Sequence, residues 1–402
     1  MKVLVFSSYL TIPTLKGFNK NQSGFGYMVA SITLGLAKFN ELNIDVLTQS
    51  NFTKSIRYKN LNFLKRNYSK MLSFLGPKSI YHAFKQRKKY NKAGFNRLLL
   101  YRATCNYFKF ICKRYDAVHI HGISPYSFDA IDFCLNNKVK GIVTIHGINY
   151  LNASIGLSST QIEKERYYIE KIANSKHLIL TVISKGIKKR IVESLGIKAE
   201  NIELIPNFHD FKETSTTSSL NIKKKHNIPE NSKIILSVGN YSENKNQKQL
   251  VEAFNQLNAH QTYLLLIGSN TEKTIPSIKK NTPSERIIPC GHINKKDLPQ
   301  YYINSNILAV TSISEGFGLP IIEALYYGLP VITFSDIDAV EDIFENDNLM
   351  LVKDRSTKSY AEGLQYALDK KWNLDALKKS VQKFESNSIL KQYLKVLNKT
   401  IV

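Results

Sequence analysis

Residues Ile307–Ala324 read ILAVTSISEGFGLPIIEA, and the order of those letters decides the fold. The run Ile307–Ile313 is aliphatic or β-branched nearly throughout, as expected of a strand covered on both faces. Gly316 and Gly318 then let the backbone turn tightly and pass close to a ligand. Pro320 suits the first helical position, where a missing N–H costs nothing. Gly328 and Pro330 end the helix just before the next strand, Val331–Phe334. A strand feeding a glycine turn, a helix and another strand is one unit of an α/β fold.

The same alternation extends in both directions. Upstream in this half stand the strands Ile234–Gly239, Tyr263–Gly268 and Arg286–Cys290. The first half shows Lys2–Ser8, Ile44–Gln49, Ala117–Gly122, Gly141–Gly147, His177–Ser184 and Ile202–Asn207, with helical stretches such as Tyr27–Phe39 and Thr160–Ala173 between them. The two series are separated by ETSTTSSL at Glu213–Leu220, which is polar and without periodicity. With 402 residues the chain can bury two cores. The expected architecture is two Rossmann-like, doubly wound parallel-sheet domains facing a cleft: residues 1–207, and residues 208–384, with a last helix at about 385–402 packing back on the first domain.

Charge is segregated. The formal net charge is +24, yet residues 47–115 contain no Asp or Glu and seventeen Lys or Arg. Phe63, Tyr68, Phe74, Tyr81, Phe84, Tyr90, Phe95, Tyr107 and Phe108 are interleaved with them. That mixture suits an anionic membrane surface, where each basic group contributes about 1 kcal/mol. A solvated basic face is the plainer reading. No nucleic-acid motif accompanies the charge, so nucleic acid is not expected as a partner. No run is long and apolar enough to span a bilayer, and Met1–Ser8 reads as a strand rather than a signal peptide. A cytoplasmic protein lying on the inner face of the cell membrane is the expectation. Cys105, Cys112, Cys134 and Cys290 share no C-x-x-C spacing and read as buried thiols.

The chemistry concentrates in the same Ser314–Ala324 stretch. The amides of Gly318 to Ile321 open a helix and would hold an anion there. Glu315 in the turn and Glu323 one turn inside can both accept sugar hydroxyls. This pattern resembles the retaining family-4 glycosyltransferases of GT-B architecture, whose hallmark is two glutamates in an E-G-F-G-x-P-x-x-E-A setting. The resemblance implies that Glu315 contacts the donor sugar, Glu323 the nucleotide ribose, and the amides of Gly316, Phe317, Gly318 and Leu319 the sugar and diphosphate. Val238–Gln247 resembles the family turn that carries a basic pair on the diphosphate: Gly239 opens it, Lys245 takes the lysine position and Asn240 stands where the family has arginine. Gly268-Ser269 and Gly291-His292-Ile293 lie at strand ends where the family holds the base, which implies donor contacts at Gly268, His292 and Ile293.

In the first half, Ser23-Gly24-Phe25-Gly26-Tyr27 is similar to the family's glycine loop, implying donor-phosphate contacts at Gly24 and Gly26. His146, at the end of Gly141–Gly147, looks like the family histidine beside the donor sugar and acceptor. His121, ending the neighbouring strand, is a second candidate for the acceptor side. Ile205-Pro206-Asn207 matches the start of the family hinge, but Phe208 replaces its glycine. Asp336-Ile337-Asp338 has the form of a metal-binding D-x-D, but the family has a metal-free loop there leading to a glutamate, here Glu341, so no metal is expected.

The resemblance therefore implies a hexosyltransferase with His146, Glu315 and Lys245 as catalytic residues. It would use a UDP- or GDP-sugar as co-substrate and no cofactor, and act on a saccharide or lipid-linked saccharide of a surface polysaccharide or glycolipid. A nucleotide-sugar epimerase or hydrolase of the same fold, or an inactive or partner-dependent homologue, are the alternatives. Asn240 is the residue that keeps the last of them open.

Overall fold

The structure, a computed structural model, describes residues 1–15, 17–18, 23–48, 56–64, 77, 80–81, 84, 92–151, 157–210, 221–273 and 285–400. The chain divides into two compact units. Unit 1 comprises Met1–Ile183, Ile187–Asn207 and Asn387–Val402, and unit 2 comprises Ser184–Gly186 and Phe208–Ser386.

Unit 1 is built on an eight-stranded sheet: β1 (Lys2–Ser7), β2 (Asn43–Thr48), β3 (Ile56–Tyr58), β4 (Leu61–Phe63), β5 (Ala117–His121), β6 (Gly141–Ile145), β7 (Leu178–Val182) and β8 (Ile202–Leu204). The spatial order is β3-β4-β2-β1-β5-β6-β7-β8. Every neighbouring pair is parallel except the edge hairpin β3–β4, two three-residue strands. All five residues of β5 and of β6 are buried, as sheets covered on both faces require. At Gly141 a Cβ would lie 2.1 Å from the Val118 carbonyl oxygen, so only glycine lets β5 and β6 run this close.

The helix Ser386–Lys399 contributes its residues from Asn387 onward to unit 1. Leu390, Tyr393 and Leu397 recur at helical spacing and are buried. Leu390 covers Gly35, where a Cβ would stand 2.5 Å from the leucine Cδ1. Tyr393 lies beside His119, with ring centroids 5.5 Å apart.

Unit 2 carries a six-stranded, wholly parallel sheet: β9 (Lys233–Val238), β10 (Thr262–Ile267), β11 (Ile287–Gly291), β12 (Ile307–Val310), β13 (Val331–Phe334) and β14 (Leu349–Val352). Its order is β11-β10-β9-β12-β13-β14. Ile235, Leu264, Ile307, Phe334 and Tyr360 sit in its core.

Both sheets have a switch point, where chain order reverses between neighbouring strands: β1 and β5 in unit 1, β9 and β12 in unit 2. Ligands of such sheets bind outside the carboxyl ends of the strands at that place.

Three readings of the sequence are corrected. β12 ends at Val310 rather than Ile313, because the Ile313 amide leaves the ladder and donates to the Asn244 carbonyl at 2.7 Å. Pro320 occupies the second position of the helix Leu319–Tyr326, behind Gly318 in the left-handed region at φ 71°. Part of the aromatic interleaving of residues 47–115 is core: Phe63 packs on Phe18 and Phe108 on Phe6, at centroid distances of 4.6 and 4.7 Å. Phe108 belongs to the helix Lys92–Ile111. Tyr68, Phe74, Tyr90 and many of the basic residues of that segment lie outside the described residues, whereas Tyr81 and Phe84 are exposed. Among the described residues no helix is long and apolar enough to cross a membrane.

Candidate active site

In unit 2 the turn after β9 and the turn after β12 are stitched together by Asn244. Its side chain accepts from the Ser314 amide at 3.2 Å and donates to the Ser314 carbonyl at 2.9 Å. Thr311 Oγ1 donates to the Lys245 and Asn246 carbonyls at 3.0 and 3.1 Å. These bonds fix Lys245 and Glu315 opposite one another, and the Lys245 Nζ is ion-paired to Glu315 Oε2. Ser312 Oγ donates to the same carboxylate oxygen at 3.3 Å. Lys245, Gln247, Ser312, Glu315 and Gly318 all line one pocket at the switch point.

The lysine reaches that pair because it lies flat on Gly239, where a Cβ would meet its aliphatic chain at 3.3 Å. Gly268 is constrained too. It has φ +145°, and a Cβ there would sit 2.0 Å from the Gly239 carbonyl oxygen.

The glycine turn exposes a row of donors. The amides of Gly316, Phe317, Gly318 and Leu319 find no acceptor among the described residues. Pro320 has no N–H and the Ile321 amide is bonded to the Gly318 carbonyl at 2.8 Å, so the open amides are those of Gly316–Leu319 and not of Gly318 to Ile321.

Asn240 has a task of its own. Its Oδ1 accepts from the Ser269 amide at 2.9 Å, and Gln247 Nε2 donates to the Gly239 and Asn240 carbonyls. The residue in the arginine position thus clasps the turns after β9 and β10. His292 is exposed and Ile293 half-buried, just after Gly291 at φ +66°.

Glu323 does not share Glu315's partners. His209 Nε2 contacts its Oε1 at 3.1 Å, and Tyr302 donates to Oε2 at 2.8 Å. Burial pushes the Glu323 pKa up, but the His209 hydrogen bond and charge, Lys295 and Tyr302 together hold it below the usual value. The D-x-D aspartate Asp336 is turned to Arg355, whose Nε and NH2 donate to its two oxygens at 2.7 and 2.6 Å. The same guanidinium donates to the Ser312 and Ile313 carbonyls and lies over Phe334. Neither His209 nor Arg355 was legible as a site residue: His209 follows the departure from the hinge motif, and Arg355 belongs to no motif.

In unit 1 the residues singled out from sequence also meet. Ser23 caps the helix Gly24–Leu36 by accepting from the Gly26 amide at 3.1 Å. Gly26 is packed so tightly that a Cβ would sit 2.2 Å from Thr11 Oγ1, whereas nothing crowds Gly24. Phe25, between them, meets His146 edge-on with centroids 5.1 Å apart. His146 Nε2 is 3.0 Å from His121 Nδ1, and His119 Nε2 is 2.8 Å from Thr144 Oγ1. His119 and His121 alternate with Val118 and Ile120, so they share one face of β5. Burial lowers the pKa of His119 and of His146 to about 3, and pushes His121 well below its ordinary value. All three rings are neutral at pH 7. His121 is almost fully buried, so it stands behind His146 instead of presenting itself to a ligand. His119, missed in the sequence, completes the row.

A switch-point pocket with a lysine–glutamate pair and a run of open amides is an arrangement for a sugar diphosphate. The comparisons name the family. The model for glycosyl transferases group 1 matches residues 218–389, and that for glycosyltransferase family 4 matches residues 71–213. The chain belongs to these glycosyltransferases. Among curated relatives, an N-acetyl-alpha-D-glucosaminyl L-malate synthase of Bacillus anthracis is 24% identical over 69% of this chain and 73% of its own. The O-antigen biosynthesis glycosyltransferase WclY of Escherichia coli is 24% identical over 71% and 80%. Sucrose-phosphate synthase of Thermosynechococcus elongatus superposes with a TM-score of 0.73 at 18% identity, covering 99% of both chains. HepE of Anabaena, solved with UDP and glucose, gives 0.70 at 15% identity over 99% and 100%. These structural likenesses establish the GT-B fold of two parallel-sheet α/β domains, which the glycosyltransferase carries in units 1 and 2.

Proposed function

We propose that the glycosyltransferase moves a hexose from a UDP- or GDP-sugar to a saccharide hydroxyl, with retention of anomeric configuration and without a metal, in the synthesis of a surface polysaccharide or lipopolysaccharide. The observation that carries the reading is the Lys245–Glu315 pair beside the open amides of Gly316–Leu319. A departing nucleoside diphosphate gains negative charge in the transition state, and Lys245 with those amides offsets it. When the diphosphate takes Lys245, Glu315 is released to accept hydroxyls of the donor sugar.

No carboxylate is assigned as a nucleophile, so we infer attack on the face the leaving group vacates. The acceptor oxygen forms the new bond to the anomeric carbon, the bond to the leaving phosphate oxygen breaks, and that oxygen takes the acceptor proton. His146, neutral and half-buried, is assigned to the acceptor and sugar hydroxyls, and Gly24 and Gly26 to the donor phosphate. His292 and Ile293 are assigned to the base and Glu323 to the ribose. The similarity to WclY, a glycosyltransferase of O-antigen biosynthesis, supports the polysaccharide setting. The basic segment 47–115 supports a place on an anionic membrane surface facing the cytoplasm, where lipid-linked acceptors are found.

The test is a panel of UDP, GDP, ADP and their sugars, with and without magnesium, read by thermal shift and by product formation. A magnesium-independent stabilisation by one nucleotide and turnover of its sugar are expected. Stabilisation without turnover on any saccharide would favour the inactive-homologue reading, which Asn240 motivates. A covalent glycosyl-enzyme would overturn the same-face mechanism.

A further inference from the structure

Glu323 presents two oxygens with about four lone-pair sites between them. His209 takes one on Oε1, at 3.1 Å, and Tyr302 takes one on Oε2, at 2.8 Å. Among the described residues one site on each oxygen remains, and the side chain keeps a partly exposed edge, 14% of its surface. Two hydroxyls on adjacent carbons fit such a pair of sites, provided that the carboxylate cannot rotate.

Tyr302 is immobile. It is buried and its ring stacks on Tyr327, with centroids 5.8 Å apart and planes at 15°. His209 is anchored through its backbone, whose amide donates to the Phe384 carbonyl at 3.2 Å and which pairs with Glu385. Phe384 in turn meets Phe317 of the glycine turn edge-on, at 5.3 Å.

We propose that His209 is a positioning residue that fixes the Glu323 carboxylate as a reader of the 2′ and 3′ hydroxyls of a ribonucleotide, and so sets discrimination against deoxyribonucleotides. The inference rests on the assignment of Glu323 to the ribose. Without the imidazole the Oε1 edge loses its rigid donor, and the carboxylate turns to satisfy itself elsewhere. A ligand hydrogen bond that depends on a fixed acceptor is then lost, whereas contacts to the diphosphate at Lys245 are untouched.

The test measures the binding of UDP and GDP, their 2′-deoxy counterparts and inorganic pyrophosphate by calorimetry. The proteins are the wild type and the variants His209→Leu, His209→Asn and His209→Gln. Asn places its amide short of Glu323, whereas Gln places one near the position of the imidazole Nε2. For the better nucleotide, the wild type is expected to prefer ribose over deoxyribose by about tenfold, as one to two good hydrogen bonds allow. In His209→Leu and His209→Asn the preference should fall to about twofold with pyrophosphate affinity unchanged, and His209→Gln should restore it. Should the leucine variant not fold, the asparagine and glutamine variants carry the comparison. A preference unchanged in the loss variants, or no preference in a wild type that binds nucleotide, would overturn the proposal. A wild type that binds no nucleotide at all removes the donor-site reading itself.

Discussion

Lys245 and Glu315 are ion-paired in the switch-point pocket, and in the proposed reaction a diphosphate competes for that ammonium. Removing the lysine therefore takes charge from the proposed leaving-group site and leaves the glutamate without that partner. Lys245→Ala is expected to lower turnover by about 10²-fold or more, the scale at which single transition-state donors act. Its melting temperature should move by only a few °C, because the pair is partly solvated. A product assay beside a melting curve separates the two effects, and a variant with near wild-type turnover would remove Lys245 from the mechanism. Asn240 makes the converse case. Its side chain serves the Ser269 amide, so Asn240→Ala should cost about 1 kcal/mol in a denaturant titration, the usual worth of one such bond. A motif can show that arginine is missing at residue 240. It cannot show the clasp that took its place, because Ser269 is 29 positions away and joins Asn240 only through the parallel pairing of β9 and β10.

At the scale of elements, the strand-turn-helix of residues 307–326 was legible because its glycines, proline and flanking apolar runs all state one local geometry. The hairpin β3–β4 and the strand β14 were not, since no glycine–proline punctuation of the kind that frames β12 and β13 marks such short runs. The helix Lys92–Ile111 was hidden in the basic run, where charge masked its spacing. The helix Ser159–Ala173 holds a further device. Its Glu165, 3% exposed, accepts from the Asn149 amide at 3.1 Å and from Asn149 Nδ2 at 3.2 Å, which pins the loop that follows His146. Burial raises the Glu165 pKa to about 7 from its ordinary 4.5. A raised carboxyl pKa means that the folded state holds the proton longer than the unfolded one, so stability falls as pH rises from about 4.5 to about 7. Glu165→Gln keeps the acceptor and abolishes the titration. Its melting temperature should gain on the wild type across that window and run parallel above it. Parallel curves throughout would show that the carboxyl is solvated.

At the scale of the molecule the two units bury their titratable groups unequally, and acid should separate them. Unit 1 keeps His119, His121 and His146 neutral, with pKa values lowered by burial. Unit 2 has one such imidazole, His226, lowered by burial and then by Lys225. Unfolding returns each ring to its ordinary pKa of about 6.5, so between pH 6.5 and 5 the unfolded state binds protons that the folded state refuses. Stability is then full above pH 6.5 and is lost as pH falls, by up to about 1.4 kcal/mol per pH unit for each ring kept neutral. Glu165 offsets roughly one imidazole in unit 1. Asp342, raised to about 6 by burial, works against His226 in unit 2. The net acid loss therefore falls on unit 1. Native-state hydrogen exchange, corrected for the intrinsic pH dependence, should show protection in β5, β6 and β7 falling from pH 6.5 to 5 while β9, β10 and β12 hold theirs. Addition of the nucleotide that binds should widen the gap, since it stabilises unit 2, the unit of the proposed donor site. No loss of protection in β5, β6 and β7 over that range would mean that the histidine row takes up protons in place.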